Sequence, residues 1–186
     1  PEALKESYNA KRSFSEEDIS HRAKTLIEDA ISFGTTLLRT HCEVDDVLHL
    51  KSVRALLALR EEYKNAITIQ ICAFAQEGIT NIEGEVEWLR EAMRLGCDVI
   101  ASAPYCDPNP EANISQVFDL AQEFDKDVDF HLDYHLSADK ATYLQIVLNE
   151  TIKRNWQGRV CLGHMTALSS LDPTDLATVI GKLQSA

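Results

Sequence analysis

Five short apolar segments recur along the chain, with centres roughly 31 residues apart. They cover about residues 35–41, 67–74, 97–103, 127–133 and 159–163. Stretches with helical periodicity separate them, so each interval has the length of a strand, a loop and a helix. This regular alternation predicts an α/β fold built from repeated βα units with parallel strands.

Polar side chains stand at the ends of most of these segments, namely His41, Gln76, His131 and His164. In parallel α/β folds, chemistry collects beyond the carboxyl ends of the strands. Neither a GxGxxG motif nor a Walker A motif is present, so no glycine-rich loop is predicted to bind a phosphate. The polar residues at the strand ends indicate instead a ring of loops around one centre, which favours a TIM-type (β/α) barrel. A full barrel needs eight strands and about 250 residues. We therefore expect residues 1–186 to form a single, incomplete barrel domain.

The helices are predicted near residues 15–33, 47–64, 82–95, 113–125, 137–155 and 173–184. Ser15 precedes three acidic residues, and Asp172 precedes Pro173, which are both signals of a helix start. Gly34 and Gly96 follow two of the helices as end signals. Residues 1–14 are polar, and we expect them to form a loose lead-in.

The formal net charge of −12 argues against binding to nucleic acid or to an anionic membrane, because both need a basic surface. No segment approaches the roughly 18 apolar residues of a membrane span, and no signal-peptide core is found near residue 1. The five cysteines form no CxxC pair, and four of them lie in or beside predicted strands. We expect these four thiols to be reduced and buried, and the protein to be cytoplasmic.

The segment Val128–His135 alternates between apolar and polar residues, with Asp129, His131 and Asp133 on one face. A buried strand does not carry three ionisable groups unless they are paired or do chemistry. His131 is therefore a candidate metal ligand, with Asp133 in the same site. The alternative is a hydrogen-bonded structural histidine. A zinc helix of the HExxH type is disfavoured because Leu132 occupies the position of the glutamate base.

His164 is a candidate proton shuttle or oxyanion stabiliser, since histidine titrates near neutral pH. The alternative is a histidine bonded to a neighbouring strand. Gln76 offers a donor and an acceptor on one planar amide, which suits the edge of a cyclic amide or a pyrimidine; alternatively it caps a helix. His41 is a candidate for lining the site. The acidic residues 43, 45 and 46 are interpreted as a solvated helix start.

Four segments carry a resemblance to a known family. Residues 39–45 resemble the "RTHVDV" segment of the cytosine deaminase group in the amidohydrolase superfamily. Residues 69–79 resemble "QIVAFPQEGI", residues 129–133 resemble "DVHCDE", and residues 163–167 resemble "SHTTA". The order and the spacing of the four agree over about residues 15–185.

The resemblance implies a metal-dependent hydrolase on a TIM barrel, in which zinc or iron activates a water that displaces an amine from a ring carbon. By position, His131 matches a metal ligand, His164 a histidine that assists the water, and Gln76 the amide that binds the substrate. His41 and Asp133 are further candidates for substrate binding. The resemblance thus implies a small-molecule substrate, a cyclic amidine or amide such as a pyrimidine base.

The chain also departs from the family pattern. It contains no H-x-H, which the family carries on its first strand, and the family's last aspartate ligand should lie beyond Ala186. Tyr134 stands where the deaminases have a catalytic glutamate, and a phenol is a poor substitute for a carboxylate in proton transfer. We therefore expect weak or absent metal binding by this chain alone and self-association through open barrel edges. The alternative function is a non-catalytic barrel that acts as a binding or structural subunit.

Overall fold

Five β-strands alternate with helices along the chain in the computed structural model, which describes residues 2–133 and 142–185. The strands are β1 Leu37–Glu43, β2 Thr68–Ala75, β3 Val99–Ser102, β4 Asp127–His131 and β5 Val160–Gly163. The α-helices are α1 Glu2–Lys11, α2 Glu16–Ser32, α3 Lys51–Tyr63, α4 Glu85–Leu95, α5 Pro110–Phe124, α6 Thr142–Lys153 and α7 Pro173–Leu183. Short 3-10 helices cover Pro104–Cys106 and Thr166–Ser170. The order of strands in the sheet is β1-β2-β3-β4-β5, as expected for successive βα units.

The chain forms two compact units. The first comprises Pro1–Ala75 and Ile82–Val99, and the second comprises Gln76–Asn81 and Ile100–Ala186. In the first unit β1 pairs in parallel with β2, from Leu37 opposite Thr68 to Glu43 opposite Phe74. Helix α3 packs on both strands and on α2.

In the second unit, β4 pairs in parallel with β5, from Val128 opposite Val160 to His131 opposite Gly163. Helix α5 packs on β4 and on α6. The rings of Phe118 and Phe130 lie 5.8 Å apart between their centroids, and both side chains are fully buried. This aromatic pair joins α5 to β4 in the core of the unit.

The predicted helix signals act as expected. Ser15 accepts a hydrogen bond from the amide of Asp18 at 3.1 Å, and Asp172 accepts from the amides of Thr174 and Asp175. Gly96 takes a φ of 114°, a left-handed conformation that closes α4. Helix α5 begins at Pro110, three residues before the prediction, because Asn109 caps it with Pro110 in the first turn.

Two sequence expectations about the first unit are wrong. Residues 2–11 form helix α1 instead of a loose lead-in. The acidic run is not a solvated helix start, because Asp45 is completely buried. Its Oδ1 accepts from the amides of Val47 at 2.9 Å and Leu48 at 2.6 Å, and helix α3 begins only at Lys51.

The expectation of four buried thiols holds for Cys42, Cys72 and Cys97. It fails for Cys161, which is exposed because β5 is the last strand in the order of the sheet. Burial raises the pKa of the Cys42 thiol well above its usual range. Among the described residues, no helix is both long enough and apolar enough to cross a bilayer.

A buried lysine from α1 pairs with two residues of the acidic run. The Nζ of Lys11 donates to Asp45 Oδ2 at 2.9 Å and also pairs with Glu43. Lys11 is 2% exposed, so this ammonium lies almost entirely out of water. Nearby, the hydroxyl of Tyr8 donates to Asp46 at 3.0 Å. Helix α1 is therefore attached to the first unit mainly by charge pairing, since Lys11 is the one buried residue among its described side chains.

Glu85, the first residue of α4, lies in the same unit and is 1% exposed. Neither of its carboxyl oxygens has a hydrogen-bond partner among the described residues. Burial, and after it the charges of Asp45 and Asp46, raise its pKa to about 9, with Lys11 partly opposing them. Glu85 is therefore a protonated, neutral acid at pH 7.

This buried acid predicts a fall in stability with rising pH. Between pH of about 4.5, where an unfolded glutamate ionises, and about 9, the unfolded chain releases a proton that folded Glu85 retains. The free energy of unfolding should fall across this window by on the order of a few kcal/mol. Glutamine cannot ionise, so the free energy of unfolding of Glu85→Gln, measured by urea unfolding, should rise relative to that of the parent from pH 5 to pH 9. Glu83→Gln, at an exposed position of the same segment, is the control. An equal pH dependence of Glu85→Gln and the parent would contradict the assignment.

The exposed apolar residues next to β1 predict self-association. Phe33 is 87% exposed and Leu37, the first residue of β1, is 61% exposed. Strand β1 is the first in the order of the sheet, and a strand edge with apolar residues beside it pairs readily with another chain. Sedimentation velocity should show concentration-dependent oligomers that Leu37→Lys reduces. Leu95→Lys, at an exposed position of α4, should leave them unchanged, and a monomer at all concentrations would refute the prediction.

Candidate active site

Two histidines meet at the ends of β4 and β5 in the second unit. His131 is the last residue of β4, and His164 follows Gly163, the residue that pairs with His131. The ring centroids lie 4.6 Å apart with an interplanar angle of 72°. His131 is half-buried and His164 is exposed, with a left-handed φ of 56°. The structure therefore brings together the predicted metal ligand and the predicted proton carrier.

Imidazole nitrogens are ligands that both zinc and iron accept. The chemistry of this pair therefore fits a divalent metal, with His131 as the residue that would hold it. A zinc site needs at least three protein ligands, so His131 would supply one member of a larger set.

Asp133 fixes the chain after His164. Its carboxylate accepts from the hydroxyl of Thr166 at 2.6 Å and from the amide of Ala167 at 3.2 Å. Asp133 is 4% exposed, and its partners belong to the 3-10 helix that follows β5. The contacts show a structural task for this carboxylate, and its binding of substrate stays a prediction.

Gln76 begins a loop that runs to Asn81. Its Nε2 donates to the sulfur of Cys106 at 3.5 Å, and the side chain is half-buried. Burial raises the pKa of the Cys106 thiol, which the Gln76 donor partly offsets. The amide thus lies against the 3-10 helix that follows β3.

Asp107 binds the same loop through hydrogen bonds from its backbone amides. It is 6% exposed and accepts from the amides of Ile79 at 2.6 Å and Thr80 at 2.9 Å. Burial alone would raise the pKa of this carboxyl. The hydrogen bonds from Thr80, Ile79 and Asn109 together outweigh burial, and its pKa lies below the usual value. Asp107 is therefore a carboxylate at neutral pH.

His41 belongs to the first unit. Its ring makes an edge contact with Phe74, with centroids 5.2 Å apart, and it is half-buried. It borders a cavity of about 200 Å³ whose wall also includes Glu43 and Lys11. Tyr134, a candidate catalytic residue, lies outside the described residues. His21 and His49 are exposed on the first unit.

Cys106 and Asp107 were not predicted from the sequence to lie near Gln76 or its loop. Pro104, Pro108 and Pro110 surround them, and such a run indicates a loop without indicating what the loop touches. The missed partners lie 30 and 27 to 28 residues along the chain from the loop they contact. The signal that could have pointed to them is the aspartate before a proline in a loop that follows a strand end.

Removal of the Asp133 carboxylate should loosen the segment after His164. Asp133→Ala leaves the buried amide of Ala167 without its acceptor, which costs about 1–3 kcal/mol in the free energy of unfolding. We expect faster hydrogen exchange at Ala167 and a lower urea midpoint. Ser169→Ala, which removes an exposed hydroxyl from the same 3-10 helix, should change neither. Unchanged exchange at Ala167 in Asp133→Ala would rule out the anchoring role.

Comparisons with known proteins point in one direction. No family model matches the chain. N-isopropylammelide isopropyl amidohydrolase from Pseudomonas sp. strain ADP is 34% identical over 137 residues, which are 70% of this chain and 33% of that protein.

Solved structures agree with this relative. The crystal structure of 5-methylcytosine deaminase from Klebsiella pneumoniae, liganded with phosphonocytosine, matches with a TM-score of 0.90 at 29% identity. The match covers 99% of this chain and 45% of that chain. N-isopropylammelide isopropylaminohydrolase from Burkholderia multivorans matches with a TM-score of 0.79 at 25% identity, over 83% of this chain and 40% of that one. The predicted fold class, an incomplete TIM-type barrel, is confirmed. The chain spans between a third and less than half of the length of these relatives.

Proposed function

Because the chain belongs to the amidohydrolase superfamily, we propose that the whole protein hydrolyses a C–N bond of a cyclic amidine or amide and that this chain supplies part of its barrel. The relatives carry names of amidohydrolases and deaminases, and one structure holds phosphonocytosine, a pyrimidine analogue. The observation that carries the proposal is the contact between the His131 and His164 rings at two neighbouring strand ends.

His131 would hold a divalent metal, zinc or iron, with ligands from outside the chain. When bound, such a metal lowers the pKa of a water molecule and supplies a nucleophile at neutral pH. The exposed ring of His164 carries two nitrogens and can take a proton on one and release it from the other, as histidines do in general acid–base catalysis. His164 lies next to His131, so the residue that would hold the metal and the residue that would carry the proton are neighbours.

Gln76 would bind the substrate through the edge of its ring. A primary amide presents a carbonyl acceptor and two N–H donors, which match the N–H and C=O groups of a cyclic amide. His41 and Asp133 are further proposed contacts. The protein would act in the cytoplasm on a small molecule.

The test measures metal and turnover together, in the protein as its gene encodes it. His131→Ala should lose near-stoichiometric zinc or iron in elemental analysis and should lose ammonia or amine release from a panel of cyclic amidines. His164→Ala should keep the metal and lose about 10²–10⁴-fold in kcat, the usual contribution of a general acid–base. His21→Ala, on the exposed face of α2, is the control for both measurements.

Two outcomes would reject the proposal. The first is a parent protein that binds neither zinc nor iron and turns over none of the panel, which would favour the non-catalytic binding subunit. The second is full activity in His131→Ala.

A further inference from the structure

We propose that Asp107 and Cys106 are positioning residues for Gln76, Asp107 by fixing the loop 76–81 and Cys106 by setting the orientation of the Gln76 amide. The inference rests on the proposed function, in which Gln76 contacts the ring edge of the substrate. Neither residue needs to touch the substrate for this role.

The carboxylate of Asp107 ties the loop to the chain that follows β3. Oδ2 accepts from the amides of Ile79 at 2.6 Å and Thr80 at 2.9 Å, and from the side-chain amide of Asn113 at 3.0 Å. Oδ1 accepts from the amide of Asn109 at 2.8 Å and from the hydroxyl of Thr80. Every partner is a donor, so the site is built for an ionised carboxylate and not for an amide or an acid.

The anchor extends into the core of the unit. Asn113 is fully buried, and its Oδ1 accepts from the hydroxyl of Ser102, the last residue of β3, at 2.7 Å. A continuous chain of hydrogen bonds thus runs from strand β3 to the loop, through Ser102, Asn113, Asp107 and Thr80. Ser102, Asn113 and Asp107 are buried, and a buried network whose hydrogen bonds are satisfied holds its members in a single arrangement.

The loop can approach this carboxylate because residue 78 is glycine. Gly78 has a φ of 104°, which L side chains rarely adopt. A Cβ at this position would collide with the side chain of Asn81 and would lie 3.2 Å from Asp107 Oδ2. The glycine at position 78, two residues after Gln76, and the hydrogen bonds to Asp107 therefore favour the same loop conformation.

Cys106 acts on the amide itself. The amide of a glutamine can rotate by half a turn and exchange its oxygen for its nitrogen, which would exchange acceptor for donor toward a ligand. The bond from Gln76 Nε2 to the Cys106 sulfur favours one of the two orientations. One N–H and the carbonyl oxygen then remain for a ligand that offers an acceptor beside a donor, as a cyclic amide does.

The first experiment tests whether Asp107 fixes the loop, and it uses this chain without substrate. Thr80→Val removes one hydroxyl donor and keeps both backbone bonds to Asp107, so it should fold, and Asp107→Asn replaces an acceptor oxygen with a donor. Hydrogen exchange at the amides of Ile79 and Thr80 should rise about tenfold or more in Asp107→Asn and less in Thr80→Val. Equal exchange in the parent and in both variants would overturn the role of Asp107.

The second experiment reads the orientation of the amide. Cys106→Val removes the acceptor at similar size, and Cys106→Ser keeps an acceptor. We expect the side-chain amide resonances of Gln76, identified by their loss in Gln76→Glu, to shift and broaden in Cys106→Val and to stay single and sharp in Cys106→Ser. Cys161→Val, at an exposed cysteine of the same unit, is the control. Resonances in Cys106→Val that match the control would overturn the role of Cys106.

Kinetics of the protein as its gene encodes it separate this inference from the proposed function. With the cyclic amidine that the protein turns over fastest, Cys106→Val should raise KM about tenfold and change kcat less. A tenfold change corresponds to the loss of about one hydrogen bond. Cys106→Ser should restore KM. If no cyclic amidine is turned over, the proposed function fails, while exchange and resonance data still decide whether the loop is positioned as described. A parent-like KM in Cys106→Val would refute the specificity role even if the protein is active.

Discussion

The parallel pairing of β4 with β5 is the constraint on which the candidate site depends. It sets His131 opposite Gly163, so the next residue, His164, lies beside the His131 ring. Successive residues of a strand face opposite sides, and a shift of one position would turn His131 to the other face. Gly163 adds to this specificity, because a Cβ there would lie 3.4 Å from Cδ2 of His131. Backbone register and one small residue thus decide whether two imidazoles can share a site.

Buried aspartates fix the loops that follow the strands. Asp45 after β1 accepts from Val47 and Leu48, Asp107 after β3 accepts from the loop at residues 79–80, and Asp133 after β4 accepts from Ala167. In each case a carboxylate takes backbone N–H groups that a loop leaves without helix or sheet partners. These charge-assisted bonds are stronger than neutral ones, and they hold a loop without an apolar core of its own. Functional side chains at strand ends need such support, because a site on a mobile loop loses its geometry.

The strands and their end residues could be predicted from sequence, because apolar periodicity is local. His131, His164 and Gln76 follow from it, since each stands where an apolar segment ends. The anchors could not be predicted this way. Lys11 meets Asp45 across 34 residues, and its helix shows too little apolar patterning to indicate that any residue is buried. Cys106 is a similar case, because its contact with Gln76 arises from the packing of two loops and has no counterpart in either segment alone.

Asp107 and Glu85 show why burial alone does not determine what a carboxyl does. Both are at most 6% exposed. Asp107 accepts from five donors, which outweigh the cost of burial, and it stays charged and holds a loop. Glu85 has no hydrogen-bond partner among the described residues and lies near two other acids, so its pKa rises to about 9 and it is neutral at pH 7. The charge of the folded protein is for this reason less negative than the formal −12. The number of N–H donors facing a buried carboxyl, which depends on the fold and not on residue type, decides between an ionic anchor and a neutral acid.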